Sequence, residues 1–195
     1  MIEWLNNNRI EVAGASLAFL YLILEVRQKW QMWIVGVLSS AFYVYIFYQA
    51  RLFANMGMNV YYTFMSVYGL YCWKFAKTNE SGKENDFHFI SPGLVIRLSI
   101  AALFIFGFIY FILIKFPESE VLVPDALVAT LSIIATWMTA KKIVECWYLW
   151  IFVNFFAIGL YAYQELYPTA ILYIFYGTLS IVGLINWRKS VISKK

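Results

Sequence analysis

Long, continuous apolar runs dominate the chain, and short polar stretches separate them. A membrane β-barrel would instead show segments of about ten residues that alternate apolar and polar positions. A membrane-spanning helix needs about 20 mostly apolar residues, so the pattern predicts a bundle of such helices. We place seven spans, at about residues 10–26, 32–48, 55–74, 95–115, 125–140, 147–163 and 169–187.

The composition argues against a water-soluble fold. Of the 195 residues, 63% are hydrophobic, 21% are aromatic and only 13% are charged, whereas soluble domains carry about 25% charged residues. The basic residues stand singly or in pairs between the apolar runs, so the net charge of +4 does not indicate nucleic-acid binding. The sequence therefore predicts an all-α, multi-pass protein of the plasma (inner) membrane, in contact with lipid. The polar N-terminus lacks a basic n-region, so we expect the first span to be retained.

The distribution of basic residues predicts the orientation. Seven spans place the two termini on opposite sides of the membrane. If the C-terminus is cytoplasmic, only Arg9, Arg51 and Lys115 of the 15 basic residues fall outside. Because cytoplasmic loops carry an excess of Lys and Arg, the N-terminus is predicted outside and the C-terminus inside. The long loop from Lys77 to Pro92 is then cytoplasmic, and its polar run at 78–86 predicts a flexible, solvated segment.

Residues 11–73 and 125–187 resemble each other, which predicts an internal repeat. Glu11 and Asp125 begin the two stretches, and a W-x-x-W pair opens the second span of each. We predict three-helix units at 10–74 and 125–187, in the same orientation, because loop 75–94 and linker helix 95–115 separate them. Residues 188–195 form a cytoplasmic tail. The matched residues are Trp30, Trp33, Tyr62, Ser66, Gly69 and Trp73 with Trp147, Trp150, Tyr176, Ser180, Gly183 and Trp187.

Polar and aromatic residues form stripes along single helix faces. In the third span they recur every three or four residues from Asn55 to Trp73. Polar groups facing lipid are costly, so these faces should point at a shared interior that could carry a small molecule. Packing and an interfacial aromatic belt are the alternatives for the Ser, Gly and Trp positions. The candidate binding residues are Asn59, Tyr62, Ser66, Trp147, Trp150, Asn154 and Tyr176, with Glu11 and Asp125 as a candidate outer gate.

The sequence lacks the motifs of hydrolytic, metal or ATP-driven chemistry. The single histidine, His88, falls in the predicted cytoplasmic loop. Cys72 and Cys146 lie near the cytoplasmic face, where thiols stay reduced. We therefore expect no enzymatic activity and no cofactor or metal. We place no charged side chain deep in a span, and because ion-coupled transport usually needs one, the sequence favours uncoupled transport.

Two stretches carry a family resemblance. The segment KKIVECWYLW at 141–150 with Asn154, and the segment YGLYCW at 68–73, resemble the PnuC-type vitamin transporters, and the likeness extends over nearly the whole chain. It implies seven helices arranged three-one-three and facilitated diffusion of nicotinamide riboside, with thiamine and riboflavin in related branches. It also implies that a cytosolic vitamin kinase traps the substrate inside, and that the protein forms a homo-oligomer such as a trimer.

The resemblance implies substrate contacts at Trp147, Trp150 and Asn154. The nicotinamide riboside branch carries Gln and Asn in the third span, where this chain has Asn59 and Ser66. Buried hydrogen bonds discriminate steeply between ligands, so these differences slightly favour thiamine, with nicotinamide riboside as the alternative. Both ligands are aromatic cations, which Trp and Tyr rings attract by about 0.5–2 kcal/mol per ring. A sugar carrier like the SWEET proteins and a non-transporting membrane scaffold are more distant alternatives.

Overall fold

The computed structural model describes residues 9–75, 86–115, 121–163, 165 and 167–193, leaving aside the side chains of 9–15 and 168. Seven α-helices account for most of these residues, and they contain no β-strand, which confirms the predicted all-α class. A π-helical turn, Tyr71–Phe75, extends the third helix. The helices are α1 (Arg9–Val26), α2 (Met32–Gln49), α3 (Phe53–Leu70), α4 (Pro92–Lys115), α5 (Leu122–Ala140), α6 (Cys146–Tyr163) and α7 (Tyr167–Ile192).

Most of these helices have the length and apolar character of membrane spans. Within the described chain, α2, α4, α5, α6 and the Thr169–Ile192 part of α7 meet both requirements. Helix α1 contains a shorter apolar segment, Ser16–Val26. Helix α3 carries Asn55 and Asn59, whose amides lower its apolar character. Each predicted span therefore coincides with one helix, within a few residues at the ends.

The helices pack as two groups that also touch each other. Helix α2 packs most extensively against α3, and α6 against α7. Contacts of α1 with α7, and of α3 with α5, join the first three helices to the last three. Helix α4 packs against α5 and has one buried residue, Leu113. Its Leu103 and Phe104 are 74% and 76% exposed, as expected of a helix that faces lipid.

Helix α5 is rich in hydroxyl groups and is nevertheless well buried. Thr130, Ser132, Thr136 and Thr139 all lie inside the bundle. The Thr130 hydroxyl donates to the Ala126 carbonyl and the Thr136 hydroxyl to the Ser132 carbonyl, each at 2.7 Å. Because each hydroxyl finds its partner one turn back in its own helix, both can be buried at little cost. The hydroxyls that lower the apolar character of this span therefore face protein rather than lipid.

Four tryptophans form a cluster at one end of the bundle. Trp33, Trp73, Trp147 and Trp187 are all buried there, and we call this the tryptophan end. Two glycines make room for the rings. A Cβ atom added to Gly69 would lie 2.4 Å from the Trp33 ring, and one added to Gly183 would lie 2.4 Å from the Trp147 ring. Only a residue without a side chain allows α3 and α7 to approach these rings so closely.

The segment that precedes α4 is anchored to the tryptophan end. The His88 N–H donates to the Lys142 carbonyl at 3.1 Å, and the Val144 N–H donates to the His88 carbonyl at 3.0 Å. The Phe87 ring lies 4.6 Å from the Trp187 ring, centroid to centroid. Residues 87–90, which follow the polar run, are therefore held against the bundle. Residues 78–85 of the run predicted to be flexible lie outside the described part of the chain.

Unusual backbone angles recur at matched positions. Gln28 and Lys142, 114 residues apart, have φ of 58° and 59° after α1 and α5. Arg51 and Glu165, also 114 residues apart, have φ of 58° and 60° after α2 and α6. The same separation relates Trp33 to Trp147, and both rings lie against a glycine. The sequence analysis paired Trp30 with Trp147. In the structure the counterpart of Trp147 is Trp33, which lies 114 residues before it and also packs against a glycine.

Arg51 offers a test of this local geometry. It ends α2 in a left-handed conformation, where glycine is the preferred residue. A left-handed conformation costs a residue with a Cβ roughly 1–2 kcal/mol. Glycine avoids this cost, but its greater conformational freedom in the unfolded chain offsets part of the stabilisation. We expect Arg51→Gly to raise the melting temperature of the detergent-solubilised protein slightly and Arg51→Val to lower it. Equal melting temperatures for the two variants would contradict the assigned backbone geometry.

Candidate functional site

A line of buried polar groups joins α1, α5 and α6. Glu25 is only 2% exposed, and its carboxylate Oε1 accepts a hydrogen bond from the Thr139 hydroxyl at 3.2 Å. The Trp150 indole N–H in turn donates to the Thr139 hydroxyl oxygen at 3.4 Å. Thr139 is completely buried. The hydroxyl of α5 therefore links a carboxylate of α1 to an aromatic ring of α6.

Hydrogen bonds from two tryptophans connect the first three helices to the last three. The Trp187 indole N–H donates to the Glu25 backbone carbonyl at 3.0 Å. The Trp73 indole N–H donates to the Thr139 backbone carbonyl at 3.2 Å. Glu25 and Thr139 are 114 residues apart, as are Trp73 and Trp187, so the two bonds are equivalent and cross between the groups. These bonds close the bundle at the tryptophan end.

The Asn154 side chain lies inside the bundle between α6 and α7. It is 7% exposed, and its Nδ2 donates to the Ser180 hydroxyl at 3.0 Å. The Ser180 hydroxyl donates to the Tyr176 carbonyl at 2.8 Å. No described group donates a hydrogen bond to the Asn154 carbonyl oxygen. The amide is therefore held in place by its nitrogen and retains an acceptor that a ligand could use.

Tyrosines from both halves line the same interior. The Tyr62 side chain of α3 lies near Ser132 of α5. It also lies near Tyr173 of α7. The Tyr173 and Tyr176 rings are 5.6 Å apart, centroid to centroid. The predicted site residues Tyr62 and Tyr176 thus belong to one aromatic lining, which presents ring faces and hydroxyl groups.

Trp147 is too enclosed by protein to stack on a ligand in this structure. It is completely buried, with Gly183 against its ring and Trp187 edge-on at a centroid distance of 5.3 Å. Its indole N–H has no hydrogen-bond partner among the described residues. In this conformation the ring packs on protein, and Trp150, which is only partly buried, is the tryptophan of the pair that borders the interior polar line.

The other predicted residues lie apart from this line. The Asn59 Nδ2 donates to the Asn55 carbonyl in its own helix at 3.0 Å. Ser66 is 4% exposed and faces α2, where a Cβ on Gly36 would lie 2.6 Å from its hydroxyl. This contact matches the packing alternative for Ser66. Of the candidate gate residues, Asp125 lies in the first turn of α5, and the Glu11 side chain falls outside the described residues.

Glu25 is the residue that the sequence analysis missed. The expectation that no charged side chain lies deep in a span did not consider that Glu25, near the end of α1, would be buried between helices. Glu25 stands at the end of the first apolar run, and Arg27 and Lys29 follow it, so its local sequence is typical of a solvated membrane boundary. Contacts of α1 with α5 and α7 bury it instead. Thr139 lies 114 residues after Glu25 and is a polar residue inside a predicted span. This polar residue was the one sequence feature that could have pointed to the buried position of Glu25.

Two open grooves among the described residues lie elsewhere. One, of about 270 Å³, is lined by residues of α2 and α3 that include Val44, Val60 and Phe64. The other, of about 300 Å³, lies at the turn between these helices. None of the predicted binding residues lines either groove. The described residues include no cluster of three or more His, Cys, Asp or Glu side chains that could hold a metal ion. The polar line, the Asn154 amide and the tyrosine lining form the candidate site.

Comparisons with known proteins cover almost the whole chain. Residues 8–189 match the family model described as the nicotinamide mononucleotide transporter. The nicotinamide riboside transporter PnuC of Escherichia coli (strain K12) is 22% identical over 205 residues, which cover 93% of this chain and 85% of the relative. The PnuC of Neisseria mucosa is 25% identical over 189 residues, covering 91% and 71%.

A solved structure has the same fold. The crystal structure of the vitamin B3 transporter PnuC matches with a TM-score of 0.76 and 22% identity. The match covers 97% of this chain and 85% of the other. This likeness shows that the seven helices are arranged as they are in that transporter.

Proposed function

The chain belongs to the nicotinamide mononucleotide transporter family, and from that membership we propose that it carries nicotinamide riboside across the plasma (inner) membrane. The family resemblance of its motifs is confirmed, and the chain is a multi-pass integral membrane protein. The relatives named as nicotinamide riboside transporters support this ligand over thiamine, which the sequence analysis had slightly favoured.

The observation that carries the proposal is the pairing of Trp150 with Asn154. The two residues lie one helical turn apart on α6, and both reach the interior. Trp150 offers an aromatic ring, and Asn154 offers an immobilised amide with a carbonyl acceptor. A ligand with an aromatic ring and hydroxyl or amide donors fits that pair. In our proposal Tyr62 and Tyr176 complete the lining, Asn59 contacts the ligand from α3, and Trp147 and Ser66 support the site by packing.

We further propose that the two three-helix units move against each other. The crossed bonds of Trp73 and Trp187 join residues 10–74 to residues 125–187 at the tryptophan end, which the basic residues predict to be cytoplasmic. Release of the ligand to the inside requires both bonds to break. Glu11 and Asp125 are proposed to attract the cation at the outer end. A parallel repeat accounts for the pair of equivalent bonds.

Facilitated diffusion is part of the proposal, together with trapping of the ligand by a cytosolic kinase. Because Glu25 is buried near the end of α1, the lack of charged groups deep in the spans no longer suffices as an argument for uncoupled transport. Uncoupled transport is therefore tested directly. Purified protein in liposomes should exchange external labelled ligand for internal unlabelled ligand with no ion gradient. A requirement for a sodium or proton gradient would contradict this part of the proposal. Assembly into a homo-oligomer, such as a trimer, is proposed on the family resemblance.

Thiamine remains a second candidate because of Asn59 and Ser66. These residues stand where the nicotinamide riboside branch is expected to carry Gln and Asn. A shorter amide and a lost amide change the groups available to a carboxamide or a ribose. Ser66, however, is packed against Gly36, so this position is not free to contact a ligand in the present conformation.

Tryptophan fluorescence distinguishes the candidates. The chain has eight tryptophans, and Trp150 borders the proposed site, so a bound aromatic cation should quench the emission. We expect saturable quenching by nicotinamide riboside and none by riboflavin or glucose. Saturable quenching by thiamine alone would instead support the second candidate. Quenching by glucose would favour the sugar carrier, and no response to any of these compounds would favour the scaffold.

A further inference from the structure

We propose that Glu25 provides the negative charge that makes the site selective for cationic rings over neutral rings of the same shape. The inference rests on the proposed function and deepens it, since it names a property of the ligand and the residue that reads it. The starting observation is that the buried Glu25 side chain takes no part in the ring stacking and amide contacts proposed above.

The Glu25 carboxyl group forms no ion pair within the described part of the chain. It is 2% exposed, and its side-chain hydrogen-bond partner is the Thr139 hydroxyl, which is neutral. The ionised form of a buried carboxyl group needs a positive partner, and more so inside a membrane protein. A ligand that carries a permanent positive charge would supply that partner.

The carboxylate also lies where such a ligand would be held. Two consecutive hydrogen bonds, through Thr139, connect it to the indole of Trp150. Tyr21 lies one turn away from Glu25 on the same helix, α1. An aromatic cation between aromatic rings and a carboxylate is attracted in two ways. The ring quadrupoles attract it, and so does the full negative charge of the carboxylate. A neutral ring of equal size would gain only the stacking.

The architecture does not require the charge. Helix α7 is bound to α1 through the Glu25 backbone carbonyl, which accepts from Trp187, and any residue at position 25 retains that carbonyl. Thr139 needs only an acceptor oxygen, which a glutamine amide also offers. Glu25→Gln therefore removes the charge and preserves the side-chain length, the Thr139 contact and the α1–α7 contact. The substitution separates recognition of charge from packing.

The test compares two forms of one ligand. Nicotinamide riboside has a positively charged pyridinium ring, and its dihydro form has a neutral ring on the same ribose. Affinities of the full-length protein for both forms are measured by fluorescence titration. We expect the wild-type chain to prefer the cationic form. We expect Glu25→Gln to weaken binding of the cationic form by about tenfold or more and to leave binding of the neutral form nearly unchanged.

Glu145→Gln is the matched control. The Glu145 carboxylate accepts a hydrogen bond from the Ile90 N–H at 2.9 Å at the tryptophan end, outside the proposed site. This variant should retain the wild-type ratio of affinities. If Glu25→Gln weakens both ligand forms equally, or neither, the inference is wrong. Failure of the wild-type chain to bind either form would overturn the proposed function itself, and the inference with it.

A second variant covers the case in which Glu25→Gln does not fold. Glu25→Asp keeps the charge on a shorter side chain. It should weaken binding while keeping the preference for the cationic ring. Loss of that preference in a folded Glu25→Asp protein would show that side-chain length, and not charge, determines the selectivity, and it would overturn the inference.

Discussion

Replacing Gly183 by alanine is expected to lower the free energy of unfolding by about 1–3 kcal/mol, the usual cost of overpacking a closely packed contact. A Cβ at this position would lie 2.4 Å from the Trp147 ring, which cannot retreat because Trp187 packs against it and the ring is completely buried. Gly69→Ala should have a similar effect, since its Cβ would lie 2.4 Å from the Trp33 ring. The measurement is the thermal unfolding of the purified protein in detergent.

Gly107→Ala and Gly159→Ala are the matched controls. Both glycines lie within helices, and nothing stands within 4 Å of an added Cβ at either position. Alanine is also the better helix former, so these variants should be as stable as the wild type or slightly more stable. If all four variants lost stability equally, the close approach of the two glycines to the tryptophan rings would not be the cause.

Asn154→Ala is expected to weaken the binding of nicotinamide riboside by roughly five- to 150-fold. The amide is fixed by its bond to Ser180, and it presents a carbonyl acceptor to the interior. A ligand donor that loses this acceptor is left unpaired in a buried site, which costs about 1–3 kcal/mol. Fluorescence titration gives the affinity, and the melting temperature shows whether the fold is retained.

Two further serine and threonine variants identify the role of the amide. Ser180→Ala removes the partner of the Asn154 nitrogen but keeps the carbonyl acceptor, so it should weaken binding less than Asn154→Ala does. Thr178→Ala changes a hydroxyl that is bonded to its own helix on the exposed face, and should change neither affinity nor stability. If Asn154→Ala lowered the melting temperature and left the affinity unchanged, the amide would be a packing residue.

The sequence was sufficient to predict the helices. Each apolar run corresponds to one helix, because a backbone in lipid must satisfy its own hydrogen bonds and does so within the segment. Even α5, which carries several buried hydroxyl groups, is helical for this local reason. The sequence also singled out the candidate residues Trp150, Asn154, Tyr62 and Tyr176, since the side chains that interrupt an apolar face are visible in the spacing alone.

The sequence did not show which side chains the bundle would enclose. Glu25 stands beside Arg27 and Lys29, so its local sequence is that of a solvated residue, and only α5 and α7 together bury it. Trp147 and Trp150 are equally plausible ligand contacts by spacing, yet Gly183 covers the first and leaves the second partly open. The segment that precedes α4 is held to the bundle by backbone bonds of His88 to Lys142 and Val144, which the sequence did not indicate.

The sequence by itself therefore determined the helical membrane class, the family and most of the polar residues of the candidate site. Hydropathy and helical periodicity depend on neighbours along the chain, and these are present in any single segment. The tertiary structure decided the environment of each residue: the burial of the Glu25 carboxylate, the enclosure of Trp147 and the equivalence of Trp33 and Trp147. Those properties depend on contacts between helices that are separated along the chain, by 36 residues for Trp147 and Gly183 and by 114 for Glu25 and Thr139, and no local pattern encodes them.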